Sequence, residues 1–142
     1  MEAIDNFQED AKGMSEGRVP LEYHGIKIPE ALKSEIQRKL VLCLEEQQVY
    51  LDPGLTLSKL SGIIGTNNAY LSSMVNYIYQ CNLPTLLNRY RVELAKRLMI
   101  RDRVKIKDVY KACGFASRSV FYTAFQKETG STPSIFVKQF IR

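Results

Sequence analysis

The chain repeats one pattern twice, and this internal repeat restricts the available folds more than any other feature of the sequence. The first copy is "LSKLSGIIGTNNAYLSSMVNYIY" at residues 57–79, and the second is "IKDVYKACGFASRSVFYTAFQKET" at residues 106–129. With one residue inserted after the glycine of the second copy, Leu71 aligns with Phe121 and the other apolar positions coincide. Two copies are too few for a solenoid, so the sequence predicts a pair of similar units.

Each copy has the pattern of two helices separated by a turn. A short segment with apolar residues at i, i+3 and i+7 ends at Gly65 or Gly114, which we expect in the left-handed conformation. Asn67 and Ser117 suit the N-cap of a second helix, because their side chains can accept hydrogen bonds from the first turn. The order helix, short glycine-containing turn, helix is that of a helix-turn-helix motif.

The remaining segments predict further helices. Apolar residues at steps of four from Leu32 predict an amphipathic helix over 29–48. The segment "LPTLLNRYRVELAKRLMIRD" between the copies predicts one long helix over 84–100, which would span about 25 Å. A last helix is expected over 134–141, with Thr132 as its N-cap. The expected fold class is therefore all-α.

We divide the chain into a tail or interdomain linker and one domain. Residues 1–28 have weak periodicity and several glycines, so they are assigned to the tail, with a short extended piece at 19–23. The domain over 29–142 contains a first helix-turn-helix at about 30–82 and a second at about 104–142.

The charge of the chain is unevenly distributed. Residues 1–80 contain 7 Lys or Arg and 11 Asp or Glu, a net charge of −4, whereas residues 81–142 contain 13 and 4, a net charge of +9. A basic half beside an acidic half favours a polyanionic partner for the basic half, and nucleic acid is the first candidate.

The second helix of each unit has one apolar face and one polar face without carboxylates. The residues predicted to face inward are Leu71, Val75, Ile78, Val120, Phe121, Ala124 and Phe125. Those predicted to face outward are Asn68, Ala69, Ser72, Ser73, Asn76, Arg118, Ser119, Tyr122 and Thr123, with Lys127 near the end. Such a face suits the major groove of B-DNA, where Arg reads guanine, Asn reads adenine, and hydroxyls serve either base.

Little in the sequence favours catalysis. The only histidine, His24, lies in the predicted tail, and neither a P-loop nor a GxGxxG motif is present. Cys43, Cys81 and Cys113 form no C-x-x-C pair, so we predict small buried hydrophobic side chains rather than metal or redox chemistry. We expect neither enzymatic activity nor a cofactor or metal.

The second unit resembles the DNA-binding domain of the AraC/XylS family of bacterial transcription regulators. The residues that carry this resemblance are Ile106, Val109, Gly114, Phe115, Phe121, Phe125, Lys127, Gly130, Thr132, Pro133 and Phe136. The first unit and the connecting helix, with "NNAYLSSMVN" and "LNRYRVELAKRLM", look like the version common in Bacteroidetes. The resemblance covers about residues 30–140, with departures at Tyr110, at Val137 and at Gln80.

The resemblance implies seven helices in two helix-turn-helix subdomains, joined by a rigid helix, with each second helix in a major groove. By position it implies base contacts from Asn68, Ala69, Ser72, Ser73, Arg118, Ser119, Tyr122 and Thr123. Candidate contacts to the DNA backbone are Asn67, Asn76, Ser117, Lys105, Lys107 and Lys127. Further attraction of phosphate is expected from basic residues such as Arg89, Arg91 and Lys111.

The expected partner is double-stranded DNA, and RNA polymerase is a further candidate. Because such regulators carry a sensor or dimerisation region, we expect this chain to be the output domain of a longer protein. With no transmembrane run and no signal peptide, a cytoplasmic location is expected. The alternatives are a protein–protein interaction module without intrinsic DNA specificity and, with less support, RNA binding.

Overall fold

The computed structural model describes residues 25–140, and these residues form seven α-helices and no strand. In chain order the helices are α1 (Glu30–Glu45), α2 (Leu57–Ile64), α3 (Asn68–Tyr79), α4 (Leu83–Ile100), α5 (Ile106–Ala112), α6 (Arg118–Thr129) and α7 (Pro133–Phe140). A short 3-10 turn occupies Val49–Leu51. The all-α class and the number of helices are confirmed, while the extended piece predicted at 19–23 lies outside the described residues.

The helices belong to two compact units whose boundaries interleave along the chain. Within residues 25–140, the first unit comprises residues 25–48 and Leu55–Leu87, and the second comprises Val49–Gly54 and residues 88–140. The first therefore contains α1, α2, α3 and the start of α4, whereas the second contains the rest of α4, with α5, α6 and α7. The small segment Val49–Gly54 joins the second unit although it lies between α1 and α2 in the sequence.

The first unit is built on the apolar faces of α1, α2 and α3. From α1 it buries Ile36, Leu40, Cys43 and Leu44, at steps that place them on one side of the helix. The predicted inward position Leu32 is instead 39% exposed. This side chain lines a small groove with Ile64 and Gly65, so it lies at the rim of the core.

The second unit has an aromatic core that follows from the spacing in α6 and α7. Phe121 and Phe125, one helical turn apart, are fully buried, with ring centroids 5.7 Å from each other. Phe115 lies 5.3 Å from Phe121, and Phe136 of α7 lies 5.3 Å from Phe125. Each such pair contributes about 0.5–1.5 kcal/mol beyond its area burial. The aromatic chain thus holds α6 between the turn before it and the helix after it.

The long helix α4 begins one residue earlier than predicted. The side chain of Asn82 accepts a hydrogen bond from the Thr85 backbone N–H at 3.0 Å, which caps the start. Leu94 and Leu98 of α4 are only partly buried. The second unit buries a neighbouring stripe of α4, which consists of Val92, Ala95 and Met99.

A buried arginine fixes the segment Val49–Gly54 within the second unit. Arg91 of α4 is 8% exposed and donates from Nε to the Tyr50 carbonyl at 2.7 Å and from Nη2 to the Asp52 carbonyl at 3.0 Å. Its guanidinium also lies 5.8 Å from the centroid of the Phe115 ring. Burial lowers the pKa of Arg91. These charged donors bind two backbone carbonyls of the segment, so the arginine acts as part of the core.

The same segment passes so close to Gly114 that no side chain fits there. A Cβ at Gly114 would lie 2.4 Å from the Tyr50 carbonyl oxygen and 2.9 Å from the Leu51 Cα, and φ at this residue is +92°. Gly65, the equivalent residue of the first unit, has φ +86° with nothing within 4 Å of a Cβ. Both glycines therefore provide a left-handed turn, and only Gly114 also permits a close backbone approach.

The three cysteines are buried, as predicted. Burial raises the pKa of the Cys113 thiol to about 12, and the Sγ atom lies 3.1 Å from the Val109 carbonyl oxygen. Burial also raises the pKa of Cys43. Protonated thiols of this kind behave as small core residues.

None of the helices within residues 25–140 combines the length and apolarity needed to cross a lipid bilayer.

The two glycines provide a matched test of the close approach. Gly65→Ala should lower the free energy of unfolding by about 1 to 2 kcal/mol, because only the left-handed conformation opposes the methyl group. Gly114→Ala should lower it by about 2 to 5 kcal/mol, because the backbone of Val49–Gly54 must also move. Chemical denaturation followed by circular dichroism measures both values, and equal losses would contradict the proposed packing.

Candidate nucleic-acid interface

In the first unit, local hydrogen bonds fix the start of α3 relative to α2. The Thr56 side chain accepts from the Lys59 N–H at 3.2 Å and starts α2, which Gly65 then ends. The side chain of Asn67 accepts from the Tyr70 N–H at 2.8 Å and caps α3, as the sequence predicted. On its inner side α3 buries Leu71, Met74, Val75, Ile78 and Tyr79. The opposite side of α3 is thereby held at the surface.

The second unit positions α6 in the same way. The Ser117 side chain accepts from the Val120 N–H at 3.2 Å, which confirms the predicted N-cap. Gly130 ends the helix with φ +78°, and the Thr132 side chain accepts from the Ile135 N–H at 3.2 Å to start α7 at Pro133. The N-cap predicted at Thr132 is thereby confirmed.

The predicted reading face of α3 is half-buried, and one of its members already has partners. Ala69, Ser72 and Ser73 are all intermediate in exposure. Asn68 donates from Nδ2 to the Ser58 Oγ at 2.9 Å, and its Oδ1 accepts from the Ser61 Oγ at 2.8 Å. The amide predicted to read a base is thus engaged with α2 within its own unit.

The predicted reading face of α6 is exposed. Its four members, which share one side of the helix, are Arg118, Ser119, Tyr122 and Thr123. Among residues 25–140, no hydrogen bond or ion pair engages the Arg118 guanidinium. The prediction that Val120 faces inward is wrong, because its side chain is 48% exposed. Phe121, Ala124 and Phe125 already fill the stripe that contacts the core, and Val120 lies about 100° from Phe121 around the helix, beyond the edge of that stripe.

The candidate contacts to the DNA backbone lie mostly at helix starts and on exposed lysines. Asn67 and Ser117 each accept a hydrogen bond from one first-turn N–H, and the other N–H groups of that turn remain for an anion. Lys105 directly precedes α5 and Lys107 lies in its first turn, and both are exposed. Lys127 is exposed near the end of α6, whereas Asn76 of α3 is half-buried.

Two basic residues expected to attract phosphate are instead part of the core, so that expectation is wrong. Arg89 is 4% exposed and its Nε lies 3.2 Å from a Glu128 carboxylate oxygen, and Arg91 binds backbone carbonyls. The sequence shows both only as charges on a long amphipathic helix. The pairing with Arg89 also neutralises Glu128, the single acidic residue of α6, which keeps a carboxylate away from the polar face. Lys111 is exposed, with its Nζ 5.9 Å from the Tyr110 ring centroid.

Sequence reasoning missed a groove beside α3. It has a volume of about 430 Å³ and is lined by Ile26, Lys27, Ile28, Glu30, Lys33, Ser73, Met74 and Tyr77. Ile28 is buried at 7% exposure, although residues up to 28 were assigned to the tail. The only sequence signal was the apolar alternation of Ile26 and Ile28.

The described part of the chain has no group of three or more His, Cys, Asp or Glu side chains that could hold a metal ion.

Each unit contains a helix-turn-helix, and the second helix of each has a polar face without carboxylates. Together these two features define a double helix-turn-helix protein. A family model described as "Helix-turn-helix domain" matches residues 60–139, more than half of the chain. The chain belongs to this family, the AraC-type helix-turn-helix domains of DNA-binding transcription regulators.

Relatives share part of their length with this chain. The uncharacterised HTH-type transcriptional regulator YijO of Escherichia coli (strain K12) is 34% identical over 71 residues, which are 50% of this chain and 25% of YijO. The bifunctional transcriptional activator/DNA repair enzyme AdaA of Bacillus subtilis (strain 168) is 30% identical over 82 residues, which are 58% of this chain and 39% of AdaA. The chain thus spans well under half the length of these curated relatives.

A solved structure supports the fold. The C-terminal domain of AraT, a response regulator from Geobacillus stearothermophilus, superposes with a TM-score of 0.63 at 21% identity. The match covers 80% of this chain and 88% of the AraT domain. At this level of identity the likeness demonstrates a common fold.

The buried position of Arg91 leads to a stability prediction. Arg91→Ala should lower the free energy of unfolding by about 2 to 3 kcal/mol, because two backbone carbonyls lose a charged donor. Lys107→Ala is the control, since this exposed side chain should change stability by less than about 0.5 kcal/mol. Urea unfolding measures both. A loss at Arg91 no larger than that at Lys107 would contradict a structural role for Arg91.

Proposed function

We propose that this chain binds double-stranded DNA in a sequence-specific manner and thereby regulates transcription. In this proposal α3 and α6 enter successive major grooves, whose centres are about 34 Å apart. The observation that carries the proposal is the exposed polar face of α6 above the buried pair Phe121 and Phe125. A rigidly anchored helix with donors and no carboxylate on its outer side matches what a major groove requires.

Within α6, each exposed side chain has a role that follows from its chemistry. Arg118 can make a bidentate pair of hydrogen bonds to guanine, the commonest specific contact in the major groove. The hydroxyls of Ser119, Tyr122 and Thr123 can donate or accept at neighbouring base edges. In α3, Ala69 offers an apolar contact for a thymine methyl, and Ser72 and Ser73 offer hydroxyls.

Affinity that does not depend on the DNA sequence would come from contacts to the DNA phosphates. The free N–H groups at the starts of α3 and α6 favour an anion, and phosphate is the anion that DNA presents there. Lys105, Lys107 and Lys127 would each neutralise a phosphate and release counterions, which makes binding sensitive to salt. Burial of Arg89 and Arg91 removes them from this set.

Several properties of the whole protein belong to the same proposal. We infer that the chain is the output domain of a longer regulator, because related proteins such as YijO extend well beyond the matched part. A sensor or dimerisation region would then control it, and RNA polymerase would be its second partner. We further infer that the chain acts by binding alone, without catalysing a reaction, and that it works in the cytoplasm.

The first test is selection from a randomised pool of duplex DNA, followed by sequencing, at two salt concentrations. We expect enrichment of a motif with two blocks about 10 base pairs apart, with weaker binding at higher salt. Salt-sensitive binding without an enriched motif would contradict intrinsic specificity. Absence of binding at low salt would favour a protein–protein interaction module instead.

The second test concerns Arg118. Arg118→Ala should weaken binding to the preferred duplex by about 1 to 3 kcal/mol and relax the preference at one base pair. Lys105→Ala is the control, since loss of a phosphate contact should weaken binding to all duplexes and reduce the salt slope by about 1. Titrations of the preferred and single-substitution duplexes measure both. An equal loss from Arg118→Ala on every duplex would make this residue a phosphate contact.

A further inference from the structure

The first turn of α3 is tied to α2 by a side-chain network that the second unit lacks. Asn68, the first residue of α3, bonds through both ends of its amide to Ser58 and Ser61, which lie one turn apart on α2. The Ser61 hydroxyl is 5% exposed and also lies 3.0 Å from the Ser58 carbonyl oxygen. The amide therefore bridges two residues on successive turns of the neighbouring helix.

The equivalent positions of the second unit have a different chemistry. In the alignment that pairs Gly65 with Gly114 and Leu71 with Phe121, Asn68 corresponds to Arg118. Ser58 and Ser61 correspond to Lys107 and Tyr110, which are too large and, for lysine, of the wrong charge to bond the guanidinium. Arg118 is accordingly exposed and makes no bond to either residue.

We propose that Asn68 is a positioning residue that holds the recognition helix α3 against α2, and that base discrimination at this helix position is made only in the second unit, by Arg118. This proposal rests on the proposed DNA-binding function and modifies the base contact expected for Asn68. The amide is held at both ends by α2, so turning it to present its N–H and C=O together to adenine would break two hydrogen bonds and offset what the base contact gains.

The exposure of the two reading faces supports the same assignment. Every candidate base contact of α3 is half-buried, whereas all four candidates of α6 are exposed. A helix whose polar face is partly covered depends more on its own orientation to reach a groove. A network that fixes this orientation raises affinity by increasing the fraction of molecules that are ready to bind.

The proposal predicts coupling between Asn68 and the two serines. Asn68→Ala should weaken binding about three- to tenfold on every duplex, because the orientation of α3 is lost and no base contact is removed. The double variant S58A/S61A should have a similar effect, since it breaks the same bonds from the other side. The triple variant should bind no more weakly than the weaker of these two, because all three substitutions break one network.

The control is Ser72→Ala, one turn further along the same helix face. No hydrogen bond joins Ser72 to Asn68 within the described residues, so the effects of these two substitutions should multiply. Binding constants on the selected duplex, repetition of the selection with each variant, and urea unfolding together give affinity, base preference and stability. Base preference is the readout that separates positioning from reading.

Three results would overturn the proposal. These are a changed preferred base after Asn68→Ala alone, multiplication of its effect with that of S58A/S61A, and unchanged affinity after Asn68→Ala. A failure of the proposed function would be distinct, because the wild-type protein itself would then enrich no duplex. Enrichment by the wild type together with coupled, sequence-independent losses is the result that supports the inference.

Discussion

Each unit depends on a glycine held in the left-handed conformation between its two helices. Gly65 and Gly114 reverse the chain within a few residues, so that the second helix starts at a fixed angle to the first. The side-chain caps at Asn67 and Ser117 then set the residue at which that helix begins. Because the start and the angle are both fixed locally, the buried stripe of each helix determines which residues remain on the outer face. The outer faces of α3 and α6 are therefore set first by this short-range geometry.

Much of this geometry could be predicted from the sequence because it is local. The repeat, the caps and the helix ends depend on residues within a few positions of one another, and glycine, asparagine, serine and threonine mark them clearly. The predictions that are wrong concern which face of a helix is buried, as at Leu32 and Val120. A helical wheel shows the periodicity of apolar residues, whereas burial also depends on how much of that stripe the neighbouring helices can cover.

The roles of the charged and amide side chains were the least predictable part of the site. A charge count assigns all arginines of α4 to the same basic half, yet Arg89 pairs with Glu128 and Arg91 binds backbone carbonyls. Likewise, the sequence predicts a base contact for Asn68, whereas in the structure its amide makes two hydrogen bonds to α2. These partners lie from 7 to 41 residues away in the sequence, so no local pattern indicates them. The positive charge available to a polyanion is consequently smaller than composition implies.

The interleaved boundary of the two units has a consequence for how such a protein can change. Val49–Gly54 fills the space beside Gly114 and supplies the carbonyls that Arg91 binds, although α2 and α3 separate it from the rest of the second unit in the sequence. A recombination event with its crossover anywhere between residues 55 and 87 would separate this segment from the residues that it packs against. Val49–Gly54 and the second unit would therefore be inherited together. New sequence preferences would arise more readily by point substitution on α3 and α6 than by exchange of entire units.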